Sequence, residues 1–233
     1  MKSAVVIPTF NEAKNIIPLI RSIREHVPSA AIIIVDDNSP DGTAASVRKM
    51  KNMDSLYLHI RKKDRGFAAS ILEGLRIALK MDTDFTVTMD ADFSHDPSAI
   101  PELLEAMKKY DLVVGSRYIG GIRVLNWQME RLFLSVFANR YVRLFLKLPI
   151  NDCTSGFRCY SRAVIEQVIM RKAFRSNGYA FLVETLYFIY RNNFTVGEVP
   201  IIFSERREGQ SKMSKKVMLE AALLPFSLFF RRK

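Results

Sequence analysis

Asp90 and Asp92 stand two residues apart, directly after the apolar run of residues 85–89. Carboxylates at that spacing past a strand end can converge on one divalent cation. Hard oxygen ligands suit Mg2+ or Mn2+, ions that keep waters and substrate phosphates in their coordination shells. Ser94 and His95 follow closely enough to add a ligand or a supporting contact. A D-x-D pair alone also occurs in solvated turns, but the strand before it and the Asp96-Pro97 helix start after it strengthen the catalytic reading. A second acidic pair, Asp36-Asp37, follows another apolar run. Its separate position suits a separate task, such as holding the hydroxyls or base edge of a nucleoside. No Gly-x-Gly-x-x-Gly follows the first strand, and no Gly-x-x-x-x-Gly-Lys-Ser/Thr occurs, which disfavours dinucleotide dehydrogenases and P-loop ATPases. A nucleotide site without a glycine-rich cradle must neutralise the diphosphate with a metal and with Arg or Lys, and this chain has both.

A third set lies in the second half. Arg131, Ser135 and Asn139 are spaced i, i+4 and i+8, one polar line on a helix. Leu132, Phe133, Leu134, Val136 and Phe137 surround it. A cation and a hydroxyl in an apolar helix suit a lipid phosphate, with the head on Arg131 and the tail along apolar surface. The plainer alternative is an arginine snorkelling from a surface helix.

These residues need elements to position them. Short β-branched runs at 4–7, 32–35, 56–60, 85–89 and 112–114 alternate with helical periodicity over 12–26, 43–51, 67–81 and 98–109. That alternation predicts a mostly parallel sheet covered by helices on both faces. Asn11, Asp41-Gly42 and Asp96-Pro97 read as helix starts. Ligands of open α/β sheets bind at the carboxyl ends of strands. Here those ends read Pro8-Thr9-Phe10-Asn11-Glu12, Asp36-Asp37-Asn38-Ser39, Asp90-Ala91-Asp92 and Gly115-Ser116-Arg117. Farther on, helices are expected over 125–148, 164–170 and 179–190, and a strand over 196–203.

The net charge of +11 is unevenly placed: residues 1–116 carry 15 Lys and Arg against 16 Asp and Glu, the remainder 20 against 8. A strongly basic second half suggests that it meets something anionic, whether nucleic acid, anionic lipid or a phosphorylated substrate. Spanning a bilayer takes about 20 apolar residues. Residues 217–230 are too few, and residues 125–148 carry Glu130, Arg131, Arg140, Arg143 and Lys147. Both stretches are therefore expected to lie flat in a membrane interface, the competing possibility being ordinary core-facing helices. Residues 1–8 read as a strand pattern, so no secretory leader is expected. Cys153 and Cys159, the two cysteines, are expected to be reduced thiols in a cytoplasmic protein.

VVIPTFNEAKNI, IVDDNSPDGT, TMDADFSHDP, GSRYIGG, NDCTSGFRCY and RREGQSK occur in that order over residues 4–212. The ordered set resembles the dolichol-phosphate (polyprenyl-phosphate) mannose synthase group of family 2 glycosyltransferases. That resemblance implies a GT-A fold over residues 1–212, with 213–233 as a C-terminal amphipathic membrane-associated helix. It implies inverting transfer of mannose from GDP-mannose to dolichyl or polyprenyl phosphate with Mg2+ or Mn2+. By the same resemblance Pro8, Phe10, Glu12 and Asp37 hold the guanosine and ribose, and Asp90, Ala91 and Asp92 the diphosphate side. Asp90, Asp92 and Ser94 are the expected metal ligands. Arg117, Arg131 and Ser135 clamp the acceptor phosphate. Arg206 reaches the donor diphosphate, with Ser211 and Lys212 just beyond. The protein is then expected at the cytosolic face of a membrane, peripherally bound, with membrane-anchoring subunits an open option and no nucleic-acid partner. The rival readings are a polyprenyl-phosphate glucosyltransferase using UDP-glucose, a basic nucleic-acid-binding protein, and a membrane adaptor without catalysis. Asp152 is the tempting general base. A phosphate monoester, with a second pKa of about 6, is already largely anionic at pH 7, so no obligatory base is expected.

Overall fold

A computed structural model describes residues 1–50, 53–176, 178–205 and 224–228. Its centre is a sheet of seven strands among the described residues: β1 (Ser3–Thr9), β2 (Ala31–Asp36), β3 (Leu56–Ile60), β4 (Phe85–Thr88), β5 (Leu112–Ser116), β6 (Arg158–Ser161) and β7 (Val196–Pro200). Their order is β3-β2-β1-β4-β6-β5-β7. All pairings are parallel except those of β6, which runs antiparallel to β4 and β5.

The helices are α1 (Ile16–His26), α2 (Thr43–Arg48), α3 (Phe67–Lys80), α4 (Ile100–Ala106), α5 (Met129–Leu146), α6 (Arg162–Val164), which widens into a π turn over Ile165–Ile169, and α7 (Gly178–Arg191). The near-continuous apolar runs of the sequence work here because both sheet faces are covered. Along β1, Val5 and Ile7 join the core built with α1 and α4, whereas Ala4 and Val6 face α3. Along β5, Leu112 and Val114 face the core shared with α5 and α7, and Val113 faces the opposite one. The strand order reverses beside β1 and β4, which opens a crevice at their carboxyl ends.

Helix α3 approaches the sheet through Gly74: a Cβ there would overlap Val6 Cγ1 and crowd Val35. Gly74→Ala is therefore expected to destabilise the protein, because overpacking costs about 1–3 kcal/mol and outweighs the ~1 kcal/mol that alanine adds to a helix. Thermal denaturation against wild type checks this.

Several elements differ from the sequence expectation. Strand β6 was not expected, because its four residues include Arg158. That side chain is fully buried, and its guanidinium donates to the carbonyls of Cys153, Ser155 and Leu182 and to Thr185 Oγ1. Helix α1 begins at Ile16 rather than residue 12. Asn11 sits in the left-handed region (φ 62), and the N–H groups of Asn11, Glu12 and Ala13 donate to Ser39 Oγ, Thr43 Oγ1 and Asp41 Oδ2. Helix α5 begins at Met129 rather than 125, since Leu125 N–H donates to the Phe203 carbonyl and Val124 bridges Phe203. The same pairing ends β7 at Pro200. The Asp96 helix start is as expected: its carboxylate accepts from Ser98 N–H ahead of a Pro97–Ala99 turn. The expected helix at 213–233 lies outside the described residues except for a helical piece at 224–228, where Leu224 and Leu228 are buried.

Candidate active site

Asp90, Ala91 and Asp92 leave the end of β4 in a tight turn that places Phe93 at φ 61, a strained conformation for a bulky residue. Asp92 is buried, and its Oδ1 accepts from Ser94 N–H at 3.1 Å. Asp90 keeps its side chain 32% exposed. Its backbone N–H donates to His95 Nδ1 at 3.1 Å, so that ring nitrogen carries no proton. His95 stacks on Phe157 and meets Phe203 edge-on. Burial lowers its pKa against the opposite pull of the Asp90 and Asp92 charges, so the ring is neutral near pH 7. His95 thus shapes the Asp90 turn; its Nδ1 is not offered as a ligand.

The donor set at this turn fits a hard divalent cation. Two carboxylate groups supply oxygen, and the Ser94 hydroxyl beside them is buried with no hydrogen-bond partner among the described residues. Two protein carboxylates would leave other coordination positions to water and phosphate, as Mg2+ and Mn2+ prefer.

The second acidic pair divides its labour. Asp36 is absorbed by structure, accepting from Thr9 Oγ1, Ser39 N–H and Ser39 Oγ. Asp37 accepts from Arg61 and Ser70 on Oδ1, both at 2.8 Å, and from Gly66 N–H on Oδ2 at 2.7 Å. Arg61 is a residue the sequence reading missed. A cation just past the end of β3, at the same sheet edge as Asp37, was its available signal. Pro8 is half-buried near the end of β1. Phe10 follows it, and the Glu12 carboxylate accepts from Asn15 Nδ2 at 2.9 Å.

On the other side lie the basic residues. Arg117 follows β5, is buried, and binds Asp152 through two parallel bonds of 2.6 Å, Nε to Oδ2 and Nη2 to Oδ1; Nη2 also donates to Thr154 Oγ1. Burial pushes the Asp152 pKa up. The Arg117 charge and its hydrogen bonds outweigh that and hold the carboxyl below its ordinary range. Glu198 on β7 accepts from the backbone N–H groups of Asn151 and Asp152 and so fixes the loop.

Of the polar line of α5, Asn139 faces this loop. Asn139 Nδ2 donates to the Ser135 carbonyl and to Thr154 Oγ1, while its Oδ1 accepts from Cys153 N–H. Ser135 shares a 2.6 Å hydrogen bond with Tyr118, another residue missed although it adjoins Arg117. Arg131 lies 4.1 Å over the Trp127 ring and pairs with Glu205 at 3.3 Å. Arg117 points inward and Arg131 outward. Rings connect the two ends of the site: His95 meets Phe203 at 5.4 Å, and Phe203 meets Trp127 at 5.4 Å. Arg206, Ser211 and Lys212 lie outside the described residues. Cys153 and Cys159 are buried and unbridged. Burial pushes the Cys153 thiol up to about 12 and raises that of Cys159 as well, so neither is a nucleophile.

Residues 4–169 match the model of the family described as Glycosyl transferase family 2. The chain is 39% identical over 223 residues to a polyprenol monophosphomannose synthase of Mycolicibacterium smegmatis, covering 94% of this chain and 84% of that protein. It is 38% identical over 225 residues to an undecaprenyl-phosphate mannosyltransferase of Micrococcus luteus, covering 96% of this chain and 92% of the relative. Its fold resembles that of glucosyl-3-phosphoglycerate synthase from Mycobacterium tuberculosis, solved with Mn2+, uridine diphosphate and phosphoglyceric acid. The TM-score is 0.70 at 17% identity, over 99% of this chain and 78% of the other. Acidic strand ends facing a basic loop and helix, on this sheet order and with these relatives, show that the chain belongs to glycosyl transferase family 2 and is a glycosyltransferase of GT-A fold.

Proposed function

We propose that the protein transfers mannose from GDP-mannose to a polyprenyl phosphate of the dolichyl type, with inversion, at the cytosolic face of a membrane. The observation that carries this reading is the continuous ring contact from the acidic end of β4 to the arginine and hydroxyl face of α5. It is supported by two relatives named for polyprenyl-phosphate mannose transfer at 38–39% identity.

Asp90 and Asp92, with Ser94 beside them, would hold Mg2+ or Mn2+. When bound, the ion supplies Lewis-acid stabilisation of the leaving diphosphate. The remaining chemistry belongs to the chain. Asp37, oriented by Arg61, accepts N–H groups of the base, while Pro8, Phe10 and Glu12 bound the nucleoside. Arg131 and Ser135 hold the acceptor phosphate, and Arg117 shapes the floor beneath it; Arg206 is assigned to the donor diphosphate by resemblance. An acceptor phosphate oxygen attacks the anomeric carbon from the face opposite GDP. The new C–O bond forms as the bond to the diphosphate breaks, and configuration inverts. The nucleophile is already anionic, so the side chains position it rather than deprotonate it.

Helix α5 suits a lipid boundary. Phe133, Phe137 and Leu144 are 67–70% exposed, and Arg140 and Arg143 project from the same helix. Among the described residues, no helix is long and apolar enough to cross a membrane.

A donor screen tests the reading. Lipid-linked mannose should form from GDP-mannose only when polyprenyl phosphate is present. Equal or faster transfer from UDP-glucose would move the protein to the glucosyltransferase reading.

A further inference from the structure

Trp127 is the one tryptophan of the chain, and it stands between the two ends of the site. Its indole Nε1 is buried and has no hydrogen-bond partner among the described residues. A buried N–H without an acceptor is destabilising and calls for an explanation. The surroundings narrow that explanation. The Arg131 guanidinium lies 4.1 Å over the ring, the Arg117 guanidinium 5.7 Å from its centroid, and Phe203 packs edge-on at 5.4 Å. The missing acceptor therefore belongs in a cationic, aromatic setting that favours an anion with exposed oxygens. Arg131 already holds the Glu205 carboxylate at 3.3 Å, an exposed pair. Such pairs are weak, so a phosphate dianion can displace Glu205 and take up a stronger charge-assisted bond.

We propose that the Trp127 indole N–H donates a hydrogen bond to a phosphate oxygen of the lipid acceptor, sharing that phosphate with Arg131. The inference rests on the acceptor assignment made above and adds a recognition residue to it. Tyr118 shares a hydrogen bond with Ser135, the hydroxyl assigned to the same phosphate. The donor diphosphate presents the same kind of oxygen, so the test must separate the two.

Wild-type fluorescence reports on Trp127 alone. Titration with farnesyl phosphate in detergent should change its emission saturably, and titration with GDP-mannose alone should not. In steady-state assays Trp127→Phe, which keeps the ring under Arg131 but removes the N–H, should raise the acceptor KM about tenfold. Its kcat and GDP-mannose KM should stay within about twofold, and its far-ultraviolet circular dichroism should match that of the wild type. Emission that answers only to GDP-mannose, or to neither ligand, overturns the assignment. So does a Trp127→Phe enzyme with the wild-type acceptor KM. Failure of the wild type to use any polyprenyl phosphate would instead overturn the acceptor reading itself.

Discussion

Asp92→Asn is expected to lower turnover by about 10^3-fold or more while leaving the fold intact. On the proposed reading Asp92 is one of the two carboxylates that hold the divalent ion. Electrostatic stabilisation of a leaving diphosphate contributes several kcal/mol, and each 1.4 kcal/mol is about tenfold in rate. Asparagine keeps an oxygen for the Ser94 N–H that Asp92 accepts at 3.1 Å, so the loop should hold. The variant should melt within a few degrees of wild type, and the loss should fall on kcat rather than on expression. Excess EDTA should abolish wild-type activity in the same way, with recovery on adding Mn2+. Full activity in EDTA, or a fully active Asp92→Asn enzyme, would remove the metal from the mechanism.

Asp152→Asn should act differently, chiefly on stability. Its carboxylate accepts from Arg117 Nε, Arg117 Nη2 and the Arg117 backbone N–H, and both partners are buried. Removing one charge of a buried pair leaves the other uncompensated, at about 3–5 kcal/mol. For a chain of this size that is a fall in melting temperature on the order of 10 °C. The pH dependence carries a sign. The folded pKa of Asp152 lies below its ordinary 3.8. The stability it contributes is therefore fully present above that value and is lost as pH falls through the folded pKa. The variant should lack this part of the acid-induced loss. Because Asp152 is spent on Arg117, it is a poor base. Asp152→Asn enzyme that remains folded should keep the wild-type pH–rate profile and lose less than about a hundredfold in kcat. A loss of several thousand-fold with substrate binding intact would make Asp152 the base.

Much of this site was legible along the chain because its parts are local. Apolar runs ending in acidic or polar clusters mark strand ends, and the strand–helix alternation sets all those ends on one edge of a parallel sheet. Asp90, Asp92 and the pair Asp36-Asp37 could therefore be singled out from spacing alone, with Asp37 chosen over Asp36 only by family resemblance, and the polar line of Arg131, Ser135 and Asn139 from helical periodicity. What periodicity cannot carry is pairing across long separations. Arg61 reaches Asp37 across 24 residues, Arg117 reaches Asp152 across 35, and Arg131 reaches Glu205 across 74. Strand β6 stayed hidden because its inward arginine is paired with carbonyls rather than packed as an apolar residue.

Fold class, and which residues carry charge to the edge of the sheet, can thus be read along the chain. Local pattern and strand polarity suffice for both. Which of two similar arginines is locked inside and which faces out depends on long-range packing. The same packing sets His95 on the backbone N–H of Asp90 and places Trp127 between the two ends of the site, its N–H without a partner among the described residues. Burial and partner geometry arise only when distant segments meet, and they decide whether a given charge is a structural pair or an open binding group.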